Sequence, residues 1–178
     1  MSEQDVQSQA TQETTQETGI GDKSAPIHPD ARYHAAVAAL QAGNLQEAER
    51  GVRDVLQDND RDAQAIHLLG VIAHQARKTD VGVQLVQKAL EIEPDSAAFL
   101  NTLGFLLRLE RKHAEAVAAL RRAVELRPNY GEALNNLGIA LSESGQPDAA
   151  ISAYEAALNA NSAFPEVLNN LGNVLARS

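Results

Sequence analysis

Cysteine and tryptophan are absent from this chain of 178 residues, and aromatic residues of all kinds make up only 3% of it. Without cysteine there are no disulfides, no thiolate metal sites and no cysteine nucleophile. With so few rings, any core must be built from Ala, Leu and Val, which suits helices packed at close range. Positive charge is also scarce: 15 Lys and Arg stand against 24 Asp and Glu, for a net charge of −9. No basic stripe is visible along the chain, which argues against nucleic acid or an anionic membrane surface as the main partner. No run approaches ~18 consecutive apolar residues, so no segment reads as a membrane span. The start lacks the basic and apolar regions of a secretory signal, and a cytoplasmic, bacterial protein is the default expectation.

Catalytic signatures are missing as well. There is no P-loop, no dinucleotide-binding glycine motif and no nucleophile elbow. His67 and His74 are seven residues apart, which on a helix separates them by about 10.5 Å along the axis. That is too far for two ligands of one zinc ion at ~2.0–2.1 Å each. No metal site, no cofactor and no catalytic constellation is expected, and the chain does not read as an enzyme.

What is present is a period. Gly70, Gly104, Gly138 and Gly172 stand 34 residues apart. Each ends the same apolar frame: Ile66-x-x-Leu69-Gly70, Leu100-x-x-Leu103-Gly104, Leu134-x-x-Leu137-Gly138 and Leu168-x-x-Leu171-Gly172. Small residues recur as Gly82, Ala116 and Ala150, and again as Ala89, Ala123 and Ala157. Proline closes two units, at Pro94 and Pro128. Within residues 131–164, Ala133, Leu134, Leu137, Ala140 and Leu141 follow a helical spacing. Ser144-Gly145-Gln146-Pro147 breaks that helix, and Ala149, Ala150, Ile151, Tyr154, Ala157 and Leu158 start a second stripe. A glycine inside a helix is unfavourable by roughly 1 kcal/mol against Ala. Its recurrence predicts a packing cause: a missing side chain that lets the partner helix come close. Each unit alone buries too little, so neighbours must stack into one continuous core.

The period, the Leu-Gly pair, the small residues and the closing Pro together resemble the tetratricopeptide repeat. The resemblance implies an all-α fold, a right-handed superhelical solenoid of antiparallel helix pairs. Its units are 29–62, 63–96, 97–130 and 131–164, with a half unit at 165–178. The first unit departs from the pattern, with Ala35-Ala36 for Leu-Gly and Asp60 for Pro, and the fourth has Ser162 for Pro. Residues 1–28 are rich in Gln, Glu, Thr and Ser and are expected to form a disordered polar tail. The tail carries five acids and one lysine, leaving a net charge of −5 on the array.

The resemblance further implies that the first helix of each unit lines a concave surface where an extended peptide binds. Counted from each unit's first residue, the fifth position carries His67, Asn101, Asn135 and Asn169, and the sixth carries Thr102, Asn136 and Asn170. The ninth carries Phe105, Ile139 and Asn173, and the twelfth carries Arg108. These eleven residues are the expected peptide-binding set. Asparagine is a poor mid-helix residue, yet its carboxamide offers two donors and an acceptor with two lone pairs. A row of such groups could pair with the backbone of an extended segment. The alternative for each is structural: Asn holding adjacent helices together, Phe105 shielded by a neighbour, Arg108 a solvated charge. A two-carboxylate clamp for chaperone tails is not expected, because Glu132 and Glu166 stand where that clamp needs cations.

The expected function is a non-catalytic scaffold that binds a protein or extended peptide, with no nucleic acid and no membrane insertion. The Asn-bearing frame also resembles, more distantly, the helical arm of O-linked N-acetylglucosamine transferases. That gives a second reading, the substrate-recognition arm of a larger transferase. A third is a self-assembling structural protein. In the half unit, Leu168, Leu171, Val174 and Leu175 form an apolar stripe through which copies of the chain could associate.

Overall fold

A computed structural model describes residues 30–160 and 164–176. The expected tail, Ser162 and Ser178 lie outside the described residues. Within them every regular element is a helix. First helices are α1 (Ala31–Gln41), α3 (Ala63–Gln75), α5 (Ala97–Leu109), α7 (Gly131–Glu143) and α9 (Pro165–Leu175). Second helices are α2 (Leu45–Asp58), α4 (Thr79–Ile92), α6 (His113–Leu126) and α8 (Pro147–Ala160). The fold is an all-α solenoid of helix pairs, and each helix touches only its neighbours one or two places along the chain.

Local chemistry sets the helix ends. Asp30, Asn44, Asp62 and Ser96 cap α1, α2, α3 and α5, each accepting from a backbone N–H of the first turn. Pro147 and Pro165 open α8 and α9, where a missing N–H is no loss. Each of the first four first helices closes in the same way. In the second unit the Arg77 N–H donates to His74 O and the Lys78 N–H to Ala73 O, and the other three repeat this pattern. Such a closure needs one residue in the left-handed region. Gly43 and Gly145 fill it at φ 76° and 75°, but Arg77 and Arg111 fill it at 62° and 60°. A side chain there is unfavourable by roughly 1–2 kcal/mol.

The recurring glycines are contact points between the two helices of a unit. A Cβ built on Gly70 would lie 2.9 Å from a Val86 methyl, and one on Gly138 would lie 2.5 Å from the Tyr154 ring. On Gly104 it would overlap Leu120. Each facing side chain lies sixteen residues on and reaches into the space that glycine leaves. In the first unit, Ala36 and Val52 take the two places, and both are buried. Gly82 approaches the carbonyl of Gly70, so the second unit is close-packed from both sides.

One cluster of buried residues runs from Ala63 and Ile66 through Leu106, Leu120 and Tyr154 to Val167 and Val174. A second joins the first pair of helices to α3, and Leu56 touches both. The small residues Ala89, Ala116, Ala123, Ala150 and Ala157 are fully buried. The packing pattern stops at α9. Leu134 and Leu141 in α7 are 4% and 3% exposed, whereas their counterparts Leu168 and Leu175 are 54% and 55% exposed. A Cβ on Gly172 would meet nothing within 4 Å among the described residues.

Candidate functional site

The expected binding residues all lie on first helices, and successive first helices touch. Their polar groups meet in a repeated way. His67 Nε2 is 2.9 Å from Thr102 Oγ1. Asn136 Nδ2 donates to Asn101 Oδ1 at 2.9 Å, and Asn170 Nδ2 donates to Asn135 Oδ1 at 3.1 Å. In each case the fifth position of one unit pairs with the sixth position of the next, 35 residues on. These contacts form three rungs of one ladder.

Burial divides the set. Asn101, Thr102 and Asn135 are only 1%, 7% and 7% exposed, so they lie between helices instead of looking into an open groove. Asn101 also donates from Nδ2 to the Tyr130 hydroxyl at 3.3 Å, which occupies both ends of its amide. Thr102 donates its hydroxyl to Ala98 O at 3.1 Å. These three hold neighbouring helices in register, the structural alternative for such residues. A buried amide with its partners in place fixes one arrangement, and losing a partner is unfavourable by about 1–3 kcal/mol. Asn136 and Asn170 are partly exposed, and each uses an N–H on its rung, leaving its carbonyl oxygen available. Asn169 and Asn173 are exposed on α9.

His67 is half-buried and stacks on Phe99 at 4.5 Å between centroids. Burial pushes its pKa down to about 4. Further along the face, the Phe105 ring is met edge-on by His74 at 5.6 Å, and the Arg108 guanidinium lies over it at 5.5 Å, within cation–π range. Phe105 is therefore partly covered by its neighbours. Ile139 packs partly buried against the main core. Arg108 is paired with Glu143 at 3.0 Å, in the next unit. His74 Nδ1 is 3.1 Å from Thr79 Oγ1, and burial lowers the pKa of this histidine too.

Reading the units in sequence missed two things. One is Tyr130, which anchors Asn101 from the last position of its unit. The other is the pair of basic turns at Arg77-Lys78 and Arg111-Lys112, whose spacing of one period was visible in the sequence. Among the described residues no group of three or more His, Asp or Glu could hold a metal ion, and no helix is long and apolar enough to cross a membrane.

A solenoid of helix pairs laced by side-chain rungs defines a repeat protein of the protein-interaction class. Two models, both described as tetratricopeptide repeat, match the chain, one over residues 94–163 and the other over 21–65 and 38–97. The chain belongs to the tetratricopeptide repeat family. No curated protein matches it in sequence. Among solved structures it is similar to PilF of Pseudomonas aeruginosa at 25% identity and a TM-score of 0.79, covering 83% of this chain and 68% of that one. It is similar to YrrB, described as a TPR protein with an unusual peptide-binding site, at 23% identity and a TM-score of 0.68, covering 82% and 75%. The O-GlcNAc transferase of Thermobaculum terrenum matches at 27% identity and a TM-score of 0.69, over 72% of this chain but only 25% of that one.

Proposed function

We propose that this chain is a binding scaffold for an extended protein segment, held along the first-helix face, in the cytoplasm of a bacterium. The observation that carries this reading is the set of carbonyl oxygens left over by the ladder. Asn136 and Asn170 each commit an N–H to the rung and keep an acceptor on a partly exposed group. Packed helices stand about 8–10 Å apart, close to one three-residue turn of an extended polyproline II segment at ~3.1 Å per residue, in which every third N–H faces the same side. A partner backbone running across the units would therefore present an N–H to each carbonyl in turn. Asn169, Asn173, Ile139, Phe105, Arg108 and His67 would contact its side chains, with Asn101, Thr102 and Asn135 as supports. The likeness to a peptide-binding repeat protein supports the same reading.

The test separates contact from support. Alanine at Asn136 and Asn170 would break two rungs as well as any ligand contact. Threonine, which the third unit already accommodates at this position, has a hydroxyl that can turn its proton towards the rung, and it removes the carboxamide oxygen. Peptides selected from a displayed random library are expected to bind the Asn136→Thr, Asn170→Thr double variant about tenfold more weakly, with the urea midpoint nearly unchanged. Equal affinity, or a library that yields no binder, removes the reading.

Two alternatives rest on their own observations. The transferase match over a quarter of its length favours an arm that presents substrate protein to a catalytic domain. A reading frame that continues past Ser178 into an α/β domain would support it. The exposed Leu168 and Leu175 and the open notch at Gly172 favour association of α9 with a second copy. Light scattering over a concentration series decides that point, and a monomer throughout excludes it.

A further inference from the structure

The turns inside the second and third units differ from those inside the first and fourth. Where the outer units have Gly43 and Gly145, the middle units have Arg77 and Arg111 in the same left-handed conformation. Where the first unit has Asn44, whose side chain caps α2 by accepting from the Glu47 N–H at 3.3 Å, the middle units have Lys78 and Lys112. Helices α4 and α6 consequently start with no side-chain cap, and each lysine adds charge to the positive end of the helix dipole. Two successive units thus depart from local preference at the same place. Departures of this kind are expected where function overrides stability. All four cations are exposed, and none is in an ion pair among the described residues. The contacts of His74 and Arg108 with Phe105 place the ends of α3 and α5 side by side, so the two turns share one edge of the array.

Beside the Arg111 turn is an open recess of about 350 Å³, lined by Arg108, Leu109, Arg111, His113 and Glu143. Arg108 Nε and His113 Nδ1 are shielded from solvent there and complete no hydrogen bond among the described residues. Glu143 already sits in it, 3.0 Å from Arg108 Nη1 and 3.4 Å from His113 Nδ1. The chain's own carboxylate thus shows what the recess recognises, and it leaves the inner guanidinium N–H unused.

We propose that this edge docks an acidic segment of a partner protein, with one carboxylate entering the recess at Arg108 and others meeting Arg111-Lys112 and Arg77-Lys78. The four turn cations lie outside the residues of the peptide reading, and Arg108 is the one residue the two sites share. A protein segment fits better than nucleic acid. The recess already holds one protein carboxylate, that of Glu143, and Leu109, 42% exposed at its rim, offers an apolar contact.

The test uses fluorescence anisotropy with a labelled oligoglutamate peptide. An oligoglutamine peptide of equal length and an oligothymidylate of equal charge serve as controls. The intact chain is expected to bind oligoglutamate selectively, and more weakly as salt rises. The Arg77→Gly, Arg111→Gly variant places in both turns the residue the outer units use. It is expected to lose about tenfold or more in affinity while its thermal midpoint holds or rises. Arg77→Lys with Arg111→Lys is expected to retain binding. Glu143→Gln, which removes the internal competitor, is expected to tighten it. The proposal is overturned if oligoglutamate binds no better than oligoglutamine, or if the glycine variant binds as well as the parent. It is equally overturned if oligothymidylate binds as tightly as oligoglutamate, and the recess is removed from it if Glu143→Gln leaves affinity unchanged.

Discussion

The imidazole of His67 is held neutral by what surrounds it. Thr102 has one hydroxyl proton and gives it to Ala98 O, so its oxygen accepts from His67 Nε2–H. Burial brings the histidine pKa down to about 4, against about 6.5 in an unfolded chain. Between these values the unfolded chain binds more protons than the folded one. The stability from this group is therefore full above pH 6.5 and is lost as pH falls towards 4, by on the order of 3 kcal/mol. We expect the urea midpoint to drop between pH 7 and pH 4.5, and His67→Asn, which installs the residue of the next two units, to flatten most of that slope. Identical slopes would rule out this histidine as the cause. The ladder was only half legible in the sequence. That Asn101, Asn135, Asn136 and Asn170 stand on the same face of successive first helices followed from the resemblance to the tetratricopeptide repeat, position by position. That the fifth position is covered by the sixth position of the next unit did not, because the offset arises from how units stack and not from any one helix.

At the scale of the helix, the glycines make opposite predictions at different places. Gly104→Ala puts a methyl into Leu120 and is expected to destabilise by about 1–3 kcal/mol. Gly172→Ala meets open space and is expected to stabilise by about 0.5–1 kcal/mol through helix propensity alone. Urea denaturation of both variants checks this, and a loss at both sites would mean that α9 is covered in solution. The close approach was legible because a glycine that recurs inside a helix needs a packing cause. Its partners Val86, Leu120 and Tyr154 were not singled out, since three different side chains fill the same place. The turns were less legible still: Arg77 and Arg111 stand where the frame suggests glycine, and only the backbone shows that they adopt glycine's conformation.

At the scale of the whole array, the described helices contact only near neighbours, so stability is a chain of local terms and falls towards the ends. Hydrogen exchange is expected to be fastest in α9 and α1 and slowest in α5 and α6, where Leu106 and Leu120 are buried from both sides. Uniform protection would show a single cooperative unit instead. The architecture at this scale was readable from the period, because repetition in sequence is repetition in space. The rungs add a constraint of a different kind. Each joins residues 35 apart in an array that repeats every 34. One inserted residue turns the rest of its helix by about 100° and parts the rung that spans the insertion. Duplication or loss of a whole unit preserves them all. Over generations such a gene is therefore free to change its number of repeats and bound to keep their length.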